Sequence, residues 1–215
     1  DLELCEKHGV DIFFHPDIHK VYISQTNQIH SNIKKLRKNY PGVHFVDPGI
    51  SKSNLKDFNM MMPDIIMMGQ KDIFQNLEAQ YMITDFNYPI KMIMAPIVRE
   101  SDGLASSSRL ERLSESERKD ARSIYESLKE IDEWIQKGTY LDHFGNAMTG
   151  PSIPDIKEHI RDRITDANGS VNYLVICCAI TLEELRYFDR KAVIVVDATF
   201  GKNIALSDNI IIEPK

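Results

Sequence analysis

Apolar residues in this chain fall either into short unbroken runs or into positions repeated at helical spacing, and their alternation predicts an architecture. GVDIFFHP ends a short run at Pro16, and PDIIMMG, from Pro63 to Gly69, is a second run closed by glycine. Continuous apolar runs of this length read as buried, parallel core strands. Between Gly69 and the next run, IKMIMAPIV, lies DIFQNLEAQYMITDFN, in which Ile73, Leu77 and Tyr81 share one helical face. Strand, helix, strand predicts an α/β layer with a right-handed crossover. Open sheets of this kind bind ligands beyond the carboxyl ends of their strands, so GQKD and RESDGLASSSR are expected to face one crevice.

The second half is patterned differently. Ser114 with Glu117 makes a capping box, and Ile124, Leu128, Ile131 and Ile135 recur at helical spacing until Gly138, which predicts one helix ending there. TYLDHFGNAMTGPSIP is turn-rich and reads as a connector, and IPDIKEHIRDRITDANG reads as a further helix. VNYLVICCAI, KAVIVVDATF and NIALSDNIII are strand-like. A boundary near residue 100 is expected, with a partial nucleotide-binding α/β domain over 1–100. The phosphate loop, a helix and a small C-terminal α+β lid would follow over 101–215.

Composition narrows the class. The chain has 215 residues, 42% of them hydrophobic and 27% charged, enough to bury a core. A formal net charge of −6 argues against broad nucleic-acid binding, which needs a basic face. No apolar run approaches the ~20 residues of a transmembrane helix, and DLELCEKHGVD lacks the order of a signal peptide, so a cytoplasmic protein is expected. Three cysteines suit neither a disulfide framework nor a four-ligand zinc site. Cys177 and Cys178 are expected to face opposite sides of a buried strand. His15 and His19 are read as solvated or capping residues, so no metal site is assigned. Met60, Met61, Met62, Met67 and Met68 are read as gap-filling core.

One stretch carries chemistry. DGLASSSRL, from Asp102 to Leu110, sets a glycine, three serines and an arginine in nine residues. Successive backbone N–H groups and hydroxyls make an anion-binding concavity, to which an Arg fork adds bidentate recognition of phosphate. Ser106, Ser107, Ser108 and Arg109 meet that need, although SSSR on its own reads first as a solvated turn before a capped helix. After the Gly69 turn, Lys71 could neutralise phosphate and Asp72 could accept from a ribose hydroxyl. Gln75, one helical turn beyond Lys71, points the same way.

PDIIMMGQKDIFQ followed by PIVRESDGLASSSRLERLSESER resembles the pantothenate synthetase family, the AMP-forming pantoate:β-alanine ligases. Their motifs read close to P-x-x-A-Y-F-G-E-K-D-x-Q-Q and V-R-E-x-D-G-L-A-x-S-S-R-N-x-Y-L-S-x-E-E-R. DLELCEKHGVDIFFHP, VNYLVICCAITLEEL and GKNIALSDN resemble further family segments. The resemblance implies a nucleotidyltransferase-type, Rossmann-like parallel sheet with a small C-terminal domain closing over the site. It implies condensation of pantoate with β-alanine through an acyl-adenylate, with ATP as substrate, Mg2+ arriving with ATP, and a homodimer. Carried over by motif, Lys71, Ser107, Ser108 and Arg109 hold phosphate, with Lys71, Arg109 and Ser107 serving catalysis. Asp72 contacts the ribose, Gly69 and Val98 lie at the nucleotide, and Gln75 contacts pantoate.

The departures carry expectations of their own. The family's N-terminal strand, its P-T-M-G-A-L-H-x-G-H loop and its N-P-x-Q-F segment have no counterpart here, so a separate or missing N-terminal segment is expected to complete the site. YPGVHFVDPGI stands where the family has R-P-G-H-F-R-G-V, keeping Pro41, Gly42, His44 and Phe45 but no Arg, which implies altered recognition of the acid. Gln70 replaces the usual Glu, Leu110 the usual Asn, and Ala205 an Arg. The alternative function is a non-catalytic nucleotide-binding or interaction module derived from the family.

Overall fold

The computed structural model describes residues 1–17, 21, 48–141, 147–149, 152–181, 183–186 and 188–213. In chain order the helices are α1 (Leu2–Lys7), α2 (Pro48–Met61), α3 (Ile73–Asp85), α4 (Glu115–Ala121), α5 (Ser123–Lys137) and α6 (Ile153–Asp166). The strands are β1 (Ile65–Gly69), β2 (Lys91–Ala95), β3 (Thr139–Leu141), β4 (Ala147–Thr149), β5 (Ser170–Cys178), β6 (Ala192–Phe200) and β7 (Ile204–Ile212). Single turns of 3-10 helix cover Gln70–Asp72 and Ser108–Arg112.

β1 and β2 pair in parallel, with Gly69 opposite Ala95 at their carboxyl ends. The predicted strand–helix–strand unit is therefore present, and both following loops leave the same edge of the sheet. β5, β6 and β7 form an antiparallel sheet in that order. A parallel sheet, helices and a three-stranded antiparallel sheet make up the α/β class expected.

The antiparallel sheet is covered on both faces. On one lie α5 and α6, which bring Ile124, Leu128 and Ile131 together with Ile156, Ile160 and Ile164 over Ile176, Ile194 and Val196. α6 starts on a capping box between Ser152 and Asp155 with proline in its first turn, and its isoleucines recur every three or four residues on one buried face. Each of those side chains contributes about 1.5–3 kcal/mol by burial. On the other face, Ile73, Phe74 and Leu77 of α3 meet Val175, Cys177, Val193 and Val195. Cys177 and Cys178 thus belong to opposite faces of β5, as expected from strand alternation.

α3 has a second buried side. Ala79, Met82 and Ile83 pack with Phe58 of α2 and against Ile66, Met68 and Met92 of the parallel sheet. The single apolar face marked by Ile73, Leu77 and Tyr81 understates this helix, which joins the two sheets.

Several expectations are corrected. GVDIFFHP is not a core strand: Ile12, Phe13 and Phe14 are exposed, and no strand among the described residues pairs with them. β1 is a parallel strand as expected, but it is only half-buried: Ile65 and Met67 lie open while Ile66 and Met68 turn inward. Met60, Met61, Met62 and Met67 are exposed and do not fill the core. The helix expected to run unbroken to Gly138 divides at Arg122, whose N–H bonds to Lys119 O at 3.3 Å in the tighter i→i−3 pattern. Gly138 does end it, in the left-handed conformation. The supposed connector holds a short antiparallel pair, β3 with β4.

Candidate functional site

The turn after β1 is built to be rigid. Asn76, buried in the first turns of α3, donates through Nδ2 to Gly69 O and Asp72 O, both at 2.9 Å. From β7, Asn209 Nδ2 donates to Gln70 O at 3.1 Å and Lys71 O at 3.0 Å, and Gln70 Nε2 donates back to Asn209 Oδ1 at 3.1 Å. Lys71 Nζ then crosses to the other loop and donates to Ser106 O at 2.8 Å.

The loop after β2 folds back on itself. Arg99 bridges Ala105 in antiparallel fashion, and Glu100 N bonds to Leu104 O at 2.8 Å and Ser106 N to Val98 O at 2.8 Å. Gly103 occupies the turn at φ +92, where a Cβ would come within 2.3 Å of the Tyr125 ring, so only glycine lets the loop lie on α5. Arg99 stacks over the same ring at 4.2 Å and donates twice to Asp208, at 2.6 and 3.0 Å. Arg118 Nε holds Asp102 at 2.6 Å, and that bond keeps the Asp102 carboxyl below its usual value. Ser107 Oγ accepts from Arg109 N at 3.3 Å and so caps the 3-10 turn, while Arg109 Nη1 donates to Ala205 O at 3.0 Å.

Between the loops and β7 lies a cleft of about 260 Å³. Lys71, Asp72, Ser107, Ser108 and Arg109 all line it, with Ser207 and Asp208 of β7 forming another wall. Gly69, Gln75 and Val98 do not line it. Gly69 ends β1 just before the turn, Gln75 is half-buried on α3, and Val98 is exposed at the start of the second loop. Gln70 and Leu110, two of the departures from the family pattern, serve the scaffold: Gln70 bonds Asn209 and Leu110 is buried in the core.

The electrostatics favour an anion. Burial lowers the Lys71 ammonium from its ordinary value, Asp72 opposes that shift, and Arg109 reinforces it. A partly desolvated cation beside a guanidinium is stabilised by a bound negative charge, which counts for more where water is thin. Behind the cleft the Tyr173 phenol is pushed up to about 12, by burial first and by Asp197 next, and stays neutral. Among the described residues no group of three or more His, Cys, Asp or Glu is placed to hold a metal ion, and no helix is long and apolar enough to cross a membrane. His15 is exposed and stacks on Phe13, while His19, Pro41, Gly42, His44 and Phe45 lie outside the described residues.

Sequence reading missed Arg99, Asp208 and Asn209 as parts of the site. The signal available for the last two was the polar run Ser207–Asn209 interrupting NIALSDNIII, of which Asp208 and Asn209 are buried.

The family described as Pantoate-beta-alanine ligase matches residues 1–211. A pantothenate synthetase from Thermoanaerobacter sp. (strain X514) is 36% identical over 214 residues, covering 98% of this chain and 71% of its own. One from Acetivibrio thermocellus is 34% identical over 219 residues, covering 99% and 72%. The crystal structure of pantothenate synthetase from Thermus thermophilus superposes with a TM-score of 0.78 at 27% identity, covering 98% of this chain and 74% of that one. A Francisella tularensis pantoate-beta-alanine ligase, complexed with beta-gamma ATP and beta-alanine, shares the fold at 23% identity and a TM-score of 0.67, covering 98% and 68%.

Proposed function

Because the chain belongs to the pantoate-β-alanine ligase family, an ATP-dependent ligase family of pantothenate biosynthesis, we propose that the cleft between the two loops is its ATP phosphate site. The observation carrying this reading is the convergence of Lys71 and Arg109, from the ends of two parallel strands, on one cleft. No observation favours a non-catalytic binding module.

In the reaction a pantoate carboxylate oxygen attacks the α-phosphorus of ATP as the bond to pyrophosphate breaks. The β-alanine amine then attacks the acyl carbon, loses a proton and displaces AMP. Lys71 and Arg109 stabilise the charge that collects on the leaving pyrophosphate, and Ser107 and Ser108 add hydrogen bonds to phosphate oxygens. Asp72 accepts from the ribose, Gly69 and Val98 flank the nucleotide, and Gln75 meets the acid. The protein supplies position and charge, with no nucleophile of its own. Mg2+ would arrive bound to the ATP phosphates and help neutralise their charge. We further assign a cytoplasmic homodimer, a division near residue 100, and altered recognition of the acid where the Arg of the pantoate segment is replaced.

Titrating ATP calorimetrically into Lys71→Ala and Arg109→Ala should show losses of ~1.5 to 3 kcal/mol, or about 10- to 150-fold. Arg109→Lys should recover only part, since a point charge cannot reproduce a planar fork. Unchanged affinity in both alanine variants overturns the site. A panel of short hydroxy acids read by ATP–pyrophosphate exchange tests the acid, and exclusive, tight use of pantoate would refute the altered recognition.

A further inference from the structure

β7 touches both loops of the cleft through two consecutive side chains. Asp208, its side chain 4% exposed, accepts the bidentate fork of Arg99, whose Nη1 also donates to Gly103 O at 3.0 Å inside the second loop. Asn209, 1% exposed, is bound three times to the 70–72 turn. Consecutive residues of a strand point to opposite sides, so one dipeptide can reach two loops at once. Lys71 and Arg109 depend on these loops for their backbone positions.

We propose that Asp208 and Asn209 are positioning residues that set the spacing between Lys71 and Arg109, Asp208 by bracing the 99–109 loop through Arg99 and Asn209 by bracing the 70–72 turn. The inference rests on the cleft being the phosphate site. A triphosphate that must meet both cations is sensitive to that spacing, whereas adenosine spans neither cation and meets Asp72, whose backbone O is held separately by Asn76 at 2.9 Å. Charge separates this role from a direct electrostatic one. Asp208 is an anion on the wall of an anion site, so removing its charge would tighten ATP binding if electrostatics alone acted, and positioning gives the opposite sign.

The test is calorimetry of the full chain with ATP and, separately, with adenosine. Asp208→Asn and Asn209→Leu should each weaken ATP on the order of 10-fold and leave adenosine within about 2-fold. Lys71→Ala combined with Asn209→Leu should bind ATP no more weakly than Lys71→Ala alone, because Asn209 acts through the Lys71 turn. Should Asp208→Asn not fold, having left the partly buried Arg99 guanidinium without its carboxylate, Arg99→Lys keeps the charge, loses the fork and should give the same selective loss. Tighter or unchanged ATP binding in these variants while Lys71→Ala is impaired overturns the clamp alone. Equal losses for ATP and adenosine, or additive effects in the double variant, overturn it as well. Normal ATP binding by both Lys71→Ala and Arg109→Ala removes the phosphate site itself, and the clamp with it.

Discussion

β6 and β1 are comparably apolar strands with different surroundings. AVIVVDATF is buried along almost its whole length, since β6 is the middle strand of three with helices over both faces. In IIMMG every second residue is exposed, because the described helices α2 and α3 cover one face of the two-stranded parallel sheet. Apolar composition sets what a strand can bury, and its neighbours decide what it does bury. The cleft lies where these regions meet, with its loops rooted in the half-covered sheet and its wall and braces supplied by the fully covered one.

Core truncation should show the contrast at full size. Phe200, at the end of β6 and 1% exposed, should lose about 3–5 kcal/mol on Phe200→Ala by denaturant unfolding. Met67→Ala on the open face of β1 should stay within about 0.5 kcal/mol. Similar losses at both positions would break the comparison.

At the seam, Gly103→Ala forces a methyl group into the Tyr125 ring and a left-handed φ onto a residue with a Cβ, for about 1–3 kcal/mol of destabilisation. Thermal melting reads the loss, and an unchanged midpoint would mean that the loop does not rest on α5 as described. A smaller effect, about 1 kcal/mol, is expected from Ser152→Ala, which removes the cap of a helix covering the antiparallel sheet.

The smallest effect concerns acid. The Asp102 carboxyl is held below its ordinary value of 3.8, chiefly by the Arg118 hydrogen bond. A depressed folded value stabilises the protein above the unfolded value, and the contribution fades as pH falls through the folded one. Asp102→Asn should therefore flatten the stability profile below about pH 4 and leave its shape near neutrality unchanged. An equally steep acid limb in the variant would show that the seam's ion pair takes no part in acid unfolding.

Much of the architecture, and the meeting of the two loops, was legible in the sequence. Helical spacing of isoleucines, the Ser114–Glu117 box and Gly138 marked the helices, because caps and periodicity are local interactions that the chain makes with itself. The strand–helix–strand order placed Lys71, Asp72, Ser107, Ser108 and Arg109 at one crevice, because parallel strands joined by a helix bring their carboxyl ends together. Tertiary structure alone decided the rest. Whether GVDIFFHP and the methionines were buried depended on partners distant in the chain, and so did the second buried face of α3. Arg99 meets Asp208 across 109 residues, and Gln70 meets Asn209 across 139. Such pairings follow from which surfaces pack together, a property that local spacing does not encode.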